Sequence, residues 1–246
     1  MMRLLTTLLL AAVCTACGGP SRDGNAFTFD EAGMAYRVEF CTENTVRILV
    51  RPVGSPLVTQ RLVVDSVPAA PVEVRREAIE HGYAFRTPQL RVEFDRTRGL
   101  FSFRDARTDA LLLAETARSL RPDTVGGEAC YAVTQRFAGT DDEALYGLGQ
   151  YQTGALNYKR DTVLLLQANK DIVNPYLVST RGFGLLWDNY SASEFRDGGD
   201  AFEFTSEVGD AVDYWFVYGG DPAGCVRGYR ALTGAASMLP KWAFGF

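Results

Sequence analysis

Residues 146–190 read YGLGQYQTGALNYKRDTVLLLQANKDIVNPYLVSTRGFGLLWDNY. The stretch sets Gly147, Gly149, Gly154, Gly182 and Gly184 among Tyr146, Tyr151, Tyr158, Tyr176, Phe183 and Trp187, around a polar group of Gln167, Asn169, Lys170, Asp171 and Asn174. Glycine lets backbone approach backbone or ligand closely. Aromatic faces beside amides and carboxylates suit a sugar, whose ring faces are apolar and whose edge is hydroxyls. The same composition also describes a glycine-rich pair of β-hairpins over a buried aromatic core, and composition does not decide between the two.

Outside this stretch the strand signal dominates. Tyr36, Val38 and Phe40 alternate with Arg37 and Glu39; Val46, Ile48 and Val50 follow. Leu90, Val92 and Phe94 alternate with Arg91, Glu93 and Asp95, and Arg98-Gly99 turns the chain into Phe101 and Phe103. Period-2 patterns broken by turn residues mark an antiparallel sandwich rather than βαβ units. Four prolines between Pro52 and Pro71 predict a loop carrying one edge strand over Arg61 to Val64. Leu111 to Leu120 fits a strand or a short helix. Val163 to Gln167, Tyr176 to Ser179 and Gly184 to Trp187 read as strands buried on both faces, and Val212 to Tyr218 as a final aromatic strand. One helix opens at Asp221-Pro222, runs with Val226, Tyr229, Arg230 and Thr233 on one stripe, and stops at Gly234.

Composition bounds the function. An apolar fraction of 47% with 12% aromatics in 246 residues fills a sizeable core. A formal charge of −5, with no clustered Lys/Arg face, argues against nucleic acid. Met1 to Pro20 reads as a targeting segment, with Arg3 ahead of the apolar run Leu4 to Val13. Small residues before Cys17 fit a lipoprotein signal cleaved after Ala16; an ordinary secretory signal is the alternative. Either predicts export, as a periplasmic or outer-membrane lipoprotein in the first case. Cys41, Cys130 and Cys225 lie too far apart for a zinc motif and read as small buried hydrophobes. His81, the single histidine, falls in a turn with no nucleophile context.

YGLGQ, the loop ending NKD, PYLVSTRGFGLLWDNYS and the final LTGAASMLPKWAFGF, in that order, resemble glycoside hydrolase family 31, its bacterial α-xylosidases and α-glucosidases above all. The resemblance is specific over Ala144 to Phe246. It implies an all-β fold, an antiparallel, galactose-mutarotase-like β-sandwich with one short C-terminal helix leading into a (β/α)8 barrel that lies beyond Phe246. The expected division is a signal peptide over 1–16, a lipidated tether over 17–26, the sandwich over 27–237 and the first barrel residues, as a strand cut short, over 238–246.

Retaining glycoside hydrolysis needs two carboxylates about 5–5.5 Å apart, and the resemblance places both in the barrel. No residue here is therefore expected to be catalytic, and no metal or cofactor is called for. Asp141-Asp142-Glu143 reads as a solvated turn and Asp188 as a structural hydrogen-bonding residue. The family's sandwich lends the active-site rim a loop whose Asp corresponds to Asp171, able to accept two sugar hydroxyls. The alternative is that Asp171 caps its own loop through an Asx turn. Asn169 and Gln150 join it as expected substrate contacts, with Asn157 and Lys159 as weaker ones and Cys17 as the lipidation site. The implied partners are an α-linked oligosaccharide, the barrel in cis and a membrane reached through the lipid. Three readings stay open: the amino-terminal part of an exported α-glycosidase, a free-standing carbohydrate-binding surface lipoprotein, and a structural lipoprotein without a ligand. The apolar ending Trp242-Ala243-Phe244-Gly245-Phe246 favours the first.

Overall fold

The computed structural model describes residues 19–56, 62–64 and 70–245. The expected signal peptide and Cys17 lie outside them. In chain order the strands are β1 Ser21–Asp23, β2 Ala26–Glu31, β3 Met34–Thr42, β4 Thr45–Pro52, β5 Arg75–Ile79, β6 Gly82–Arg86, β7 Leu90–Asp95, β8 Leu100–Asp105 and β9 Leu111–Val125. They continue as β10 Glu128–Ala138, β11 Leu145–Gln150, β12 Thr162–Leu165, β13 Ile172–Ser179, β14 Phe183–Trp187, β15 Ser193–Asp197, β16 Ala201–Gly209 and β17 Val212–Tyr218, before helix α1, Pro222–Thr233. Among the described residues, neighbouring strands pair antiparallel throughout. One sheet orders β1-β2-β3-β4-β17-β14-β13-β11 and the other β12-β15-β16-β10-β9-β8-β7-β6-β5.

The two sheets face each other over a core built by the alternation the sequence shows. Tyr36, Val38, Phe40, Val46, Ile48 and Val50 from one sheet meet Phe85, Val92, Phe94, Phe101 and Phe103 from the other. Phe103 stacks on Phe216 at 4.2 Å between ring centroids. Hydrogen bonds also cross the core: Tyr214 Oη donates to Glu115 Oε1 at 2.8 Å, and Trp187 Nε1 to Ser206 Oγ at 2.8 Å. Both tie a large aromatic's polar end that would otherwise be buried unpaired.

Strands β14 and β17 and the second half of β13 are buried on both faces, as their apolar runs predict. Their outer face carries a second cluster, in which Cys225 and Leu232 of α1 cover Tyr176, Leu186, Trp215 and Val217. Asp221 caps the helix through the N–H of Gly224, and Gly234 ends it at φ +87°. The buried stripe of α1 differs from the expected one: Val226 and Arg230 face outward, and Gly224, Cys225 and Leu232 face the sheet. Small residues decide this. A Cβ at Gly228 would stand 2.3 Å from Val217 Cγ1, so the helix settles where glycine allows close approach.

Leu111–Val125 is wholly strand, which decides between the two readings that periodicity left open. Three further expectations are corrected. Within the proline-rich connection, Leu62 to Val64 form a bend and not an edge strand, while Arg61 lies outside the described residues. Strand β12 is a sheet edge paired only to β15. Leu164 and Leu166 are 58% and 49% exposed there, so Val163 to Gln167 is buried on one face only. Lys241–Phe244 forms a single exposed 3-10 turn and not a strand.

Candidate functional site

Three consecutive residues of β11 have positive φ: Gly147 at +99°, Leu148 at +63° and Gly149 at +121°. A Cβ at Gly147 would lie 2.2 Å from the Tyr176 carbonyl oxygen, and one at Gly149 2.0 Å from that of Ile172. Only glycine fits such contacts at such dihedrals. Leu148 has no such freedom, and its buried side chain holds it in the left-handed region. The run is a bulge, marked by a register shift between Gly147 and Gly149 in the ladder to β13. The chain leaves the sheet after Gln150, and the Tyr151 hydroxyl braces the exit by donating to the Leu148 carbonyl at 3.0 Å.

Past the bulge, Gln150 lies opposite Ile172 in the ladder, which sets Tyr151 beside Asp171. Burial, then the neighbouring Tyr158, then the Asp171 carboxylate push the Tyr151 hydroxyl up to about 12. Asp171 ends a tight turn in which Ala168 and Asp171 exchange backbone hydrogen bonds of 3.3 Å each way, leaving Asn169 and Lys170 exposed at the tip. An Asx turn would need the Asp171 carboxylate to accept from the N–H of Val173. That N–H donates instead to Gln167 Oε1 at 3.1 Å. Among the described residues nothing donates to the Asp171 carboxylate, which is half-buried at the rim of the turn. Asp171, Asn169 and Gln150 are thus brought to one end of the sandwich.

Asn157 and Lys159 do other work. The Asn157 side-chain oxygen accepts from the N–H groups of Leu145 at 2.9 Å and Lys159 at 3.0 Å, closing the loop that follows Gln150. The Lys159 side chain is only 9% exposed; its Nζ donates to the Gly199 carbonyl at 2.8 Å and lies 3.1 Å from Asp197 Oδ2 and 3.8 Å from Glu143 Oε1. Glu143 in turn accepts from Ser179 Oγ at 2.7 Å. Asp141 and Asp142 are exposed as expected, but Glu143 is buried, correcting its assignment to a solvated turn. This clasp holds the loop over 151–161 against three other segments. It was missed in the sequence because its members come from distant turns, and no spacing marks them.

Elsewhere, Asp188 Oδ2 accepts from Trp215 Nε1 at 3.1 Å, the structural role expected of it. His81 is solvated. Cys41, Cys130 and Cys225 are buried, and burial pushes the Cys225 thiol up to about 11. Among the described residues no group of three or more His, Cys, Asp or Glu side chains could hold a metal, and no helix is long and apolar enough to cross a membrane.

Close to the turn in sequence, Leu164, Leu166 and Ile172 stand exposed, as does Leu156 in the loop after β11.

The profile of the Glycosyl hydrolase 31 N-terminal galactose mutarotase-like domain matches residues 35–195. An alpha-xylosidase of Saccharolobus solfataricus is 31% identical over 224 residues, which cover 87% of this chain and 30% of that protein. A GH31 alpha-xylosidase from a soil metagenome, solved with xylose, superposes with a TM-score of 0.81 at 27% identity over 93% of this chain and 36% of that one. A GH31 dextranase of Flavobacterium johnsoniae shares the fold, with a TM-score of 0.76 at 24% identity. The chain spans about a third of the length of these relatives.

Proposed function

Because the chain belongs to glycoside hydrolase family 31, as its N-terminal galactose mutarotase-like domain, we propose that it is the non-catalytic part of an exported retaining α-glycosidase acting on α-linked xylo- or gluco-oligosaccharides. In this reading residues 1–16 are a signal peptide and the tether lipidated at Cys17 ends before Ser21, because Ser21–Asp23, expected within a tether over 17–26, pair with β2 as the first strand of the sandwich. The sandwich runs on to 237, and 238–246 lead into a catalytic barrel that supplies the nucleophile and the acid/base. The turn at Asp171 reaches over the barrel's mouth, with Asn169 and Gln150, to contact the non-reducing sugar.

One observation carries this reading. The Asp171 carboxylate sits at the end of a turn closed by two backbone hydrogen bonds, and among the described residues no donor engages it. A carboxylate placed so is available to hydroxyl donors from outside the domain. The exposed side chains of Leu164, Leu166 and Ile172, close to the turn in sequence, supply a surface for the barrel, and the alpha-xylosidases that the chain resembles are about three times its length.

The test uses the polypeptide with its catalytic domain. Asp171→Ala removes charged hydrogen bonds worth about 1.5–3 kcal/mol, so kcat/KM for an α-xyloside or α-glucoside falls by roughly one to two powers of ten. Asp171→Asn loses less, and Asp142→Ala changes little. Full activity in Asp171→Ala would remove the loop from the site. For the anchor, a fatty-acid label should mark the wild-type chain and not Cys17→Ala; equal labelling would refute lipidation there.

A further inference from the structure

The hydrogen-bond count around Arg118 leaves two donors over, and the residue lines a cleft built from other elements than the Asp171 turn. The cleft, about 560 Å³, opens at the end of the sandwich between Met34 and Tyr36 of β3, the Arg96–Gly99 turn, and Thr116 to Leu120 of β9. That volume lies within the usual range for small-molecule sites, about 300–1,000 Å³. The Arg118 side chain is 8% exposed. Its Nε donates to Gln135 Oε1 at 2.9 Å, Nη1 to the Gly99 carbonyl at 2.8 Å and Nη2 to Glu115 Oε2 at 2.6 Å. A guanidinium has five N–H groups, so two remain. The Thr116 hydroxyl, also lining the cleft, is buried without a partner among the described residues.

Charge adds a second count. Glu115 offsets Arg118, and Glu31, at 2.6 Å, offsets Arg96. Arg98 is exposed at the mouth and has no carboxylate within ion-pair distance among the described residues. The cleft therefore holds one uncompensated positive charge and more donors than a single carboxylate occupies. Met34, Pro52 and Leu120 give it an apolar wall.

We propose that this cleft binds a sugar carboxylate of the hexuronate class, its acid group on Arg98, ring hydroxyls on Arg118 and Thr116, and its C–H face on Met34 and Leu120. A neutral sugar leaves Arg98 unused. A bare anion leaves the wall and the inner donors unused. The site is independent of the role assigned to Asp171.

Calorimetric titration of the full chain with glucuronate, glucose and inorganic phosphate tests it. Glucuronate should saturate at millimolar concentrations or below, at least about tenfold tighter than glucose. Arg98→Ala, at an exposed position, should weaken glucuronate by about tenfold or more, Thr116→Val by a smaller factor, and Arg227→Ala not at all. Equal binding of glucose, equal competition by phosphate, or an unchanged affinity in Arg98→Ala would each overturn the assignment. So would no saturable binding of glucuronate in a folded wild-type chain.

Discussion

Gly147 shows how much one missing methyl group decides. Its backbone combines φ +99° with a carbonyl oxygen 2.2 Å from where a Cβ would stand. Gly154, seven residues on, has φ +76° and open space around it. Gly147→Ala should therefore cost at least about 2 kcal/mol, from dihedral strain and overlap together. Gly154→Ala carries only the backbone part, roughly 1 kcal/mol. Urea unfolding of both variants checks the order; equal losses would mean that the bulge relaxes and is not a fixed base for the Asp171 turn. The glycines of YGLGQ announce a close approach, but nothing in the letters says which carbonyl is approached. Leu148 at positive φ is illegible for the same reason, since its conformation is imposed by its neighbours and by burial.

Strands were readable wherever one face meets the core and the other meets water, because alternation then records burial directly. The reading of Val163 to Gln167 failed where that link breaks. An apolar run reads as doubly buried, yet β12 is an edge strand in which Leu164, and Leu166 just beyond it, are exposed. Sheet position is set by pairing partners that lie far away in sequence. Asp105, at the end of β8, shows the same dependence on a remote strand. It accepts from the N–H groups of Arg107 at 2.7 Å and Thr108 at 3.2 Å in its own turn, and from Tyr218 Oη, at the end of β17, at 2.6 Å. The Tyr218 hydroxyl leads these donors in holding the carboxyl down, from an ordinary 3.8 to about 2, against the opposing effect of burial. A carboxyl depressed by folding stabilises the protein above its unfolded value and loses that contribution as the pH falls through its folded one. The contribution is thus complete above about pH 4 and fades toward pH 2. Tyr218→Phe should raise the Asp105 value toward 3.8 and shrink the stability lost across that window, as read from urea midpoints at stepped pH. Identical losses in both proteins would show that Tyr218 does not set the titration.

The joining of the two sheets is the feature of the whole molecule least visible in its sequence. Glu115 and Arg118 belong to β9 and Tyr214 to β17, and nothing in an alternating pattern predicts a buried ion pair within one strand whose carboxylate also accepts from the facing sheet. The pair is enclosed: Glu115 and Arg118 side chains are 0% and 8% exposed. Glu115 accepts from Tyr214 Oη, from the Phe101 N–H at 2.7 Å and from Arg118, so it satisfies three donors that would otherwise face the core. Removing one member of a buried pair strands the other charge, at a cost of about 3–5 kcal/mol. Glu115→Leu should lose that much in urea unfolding. The double variant Glu115→Leu with Arg118→Met removes the stranded charge and should recover part of the loss, because a buried pair contributes little net stability against apolar replacements. Recovery stays incomplete: the N–H of Phe101 and the hydroxyl of Tyr214 still lack their acceptor, and the Gly99 carbonyl loses the donor it had in Arg118. A double variant no more stable than Glu115→Leu would mean that the Arg118 charge is not stranded when Glu115 goes. In that case water reaches the guanidinium through the cleft at the sandwich end.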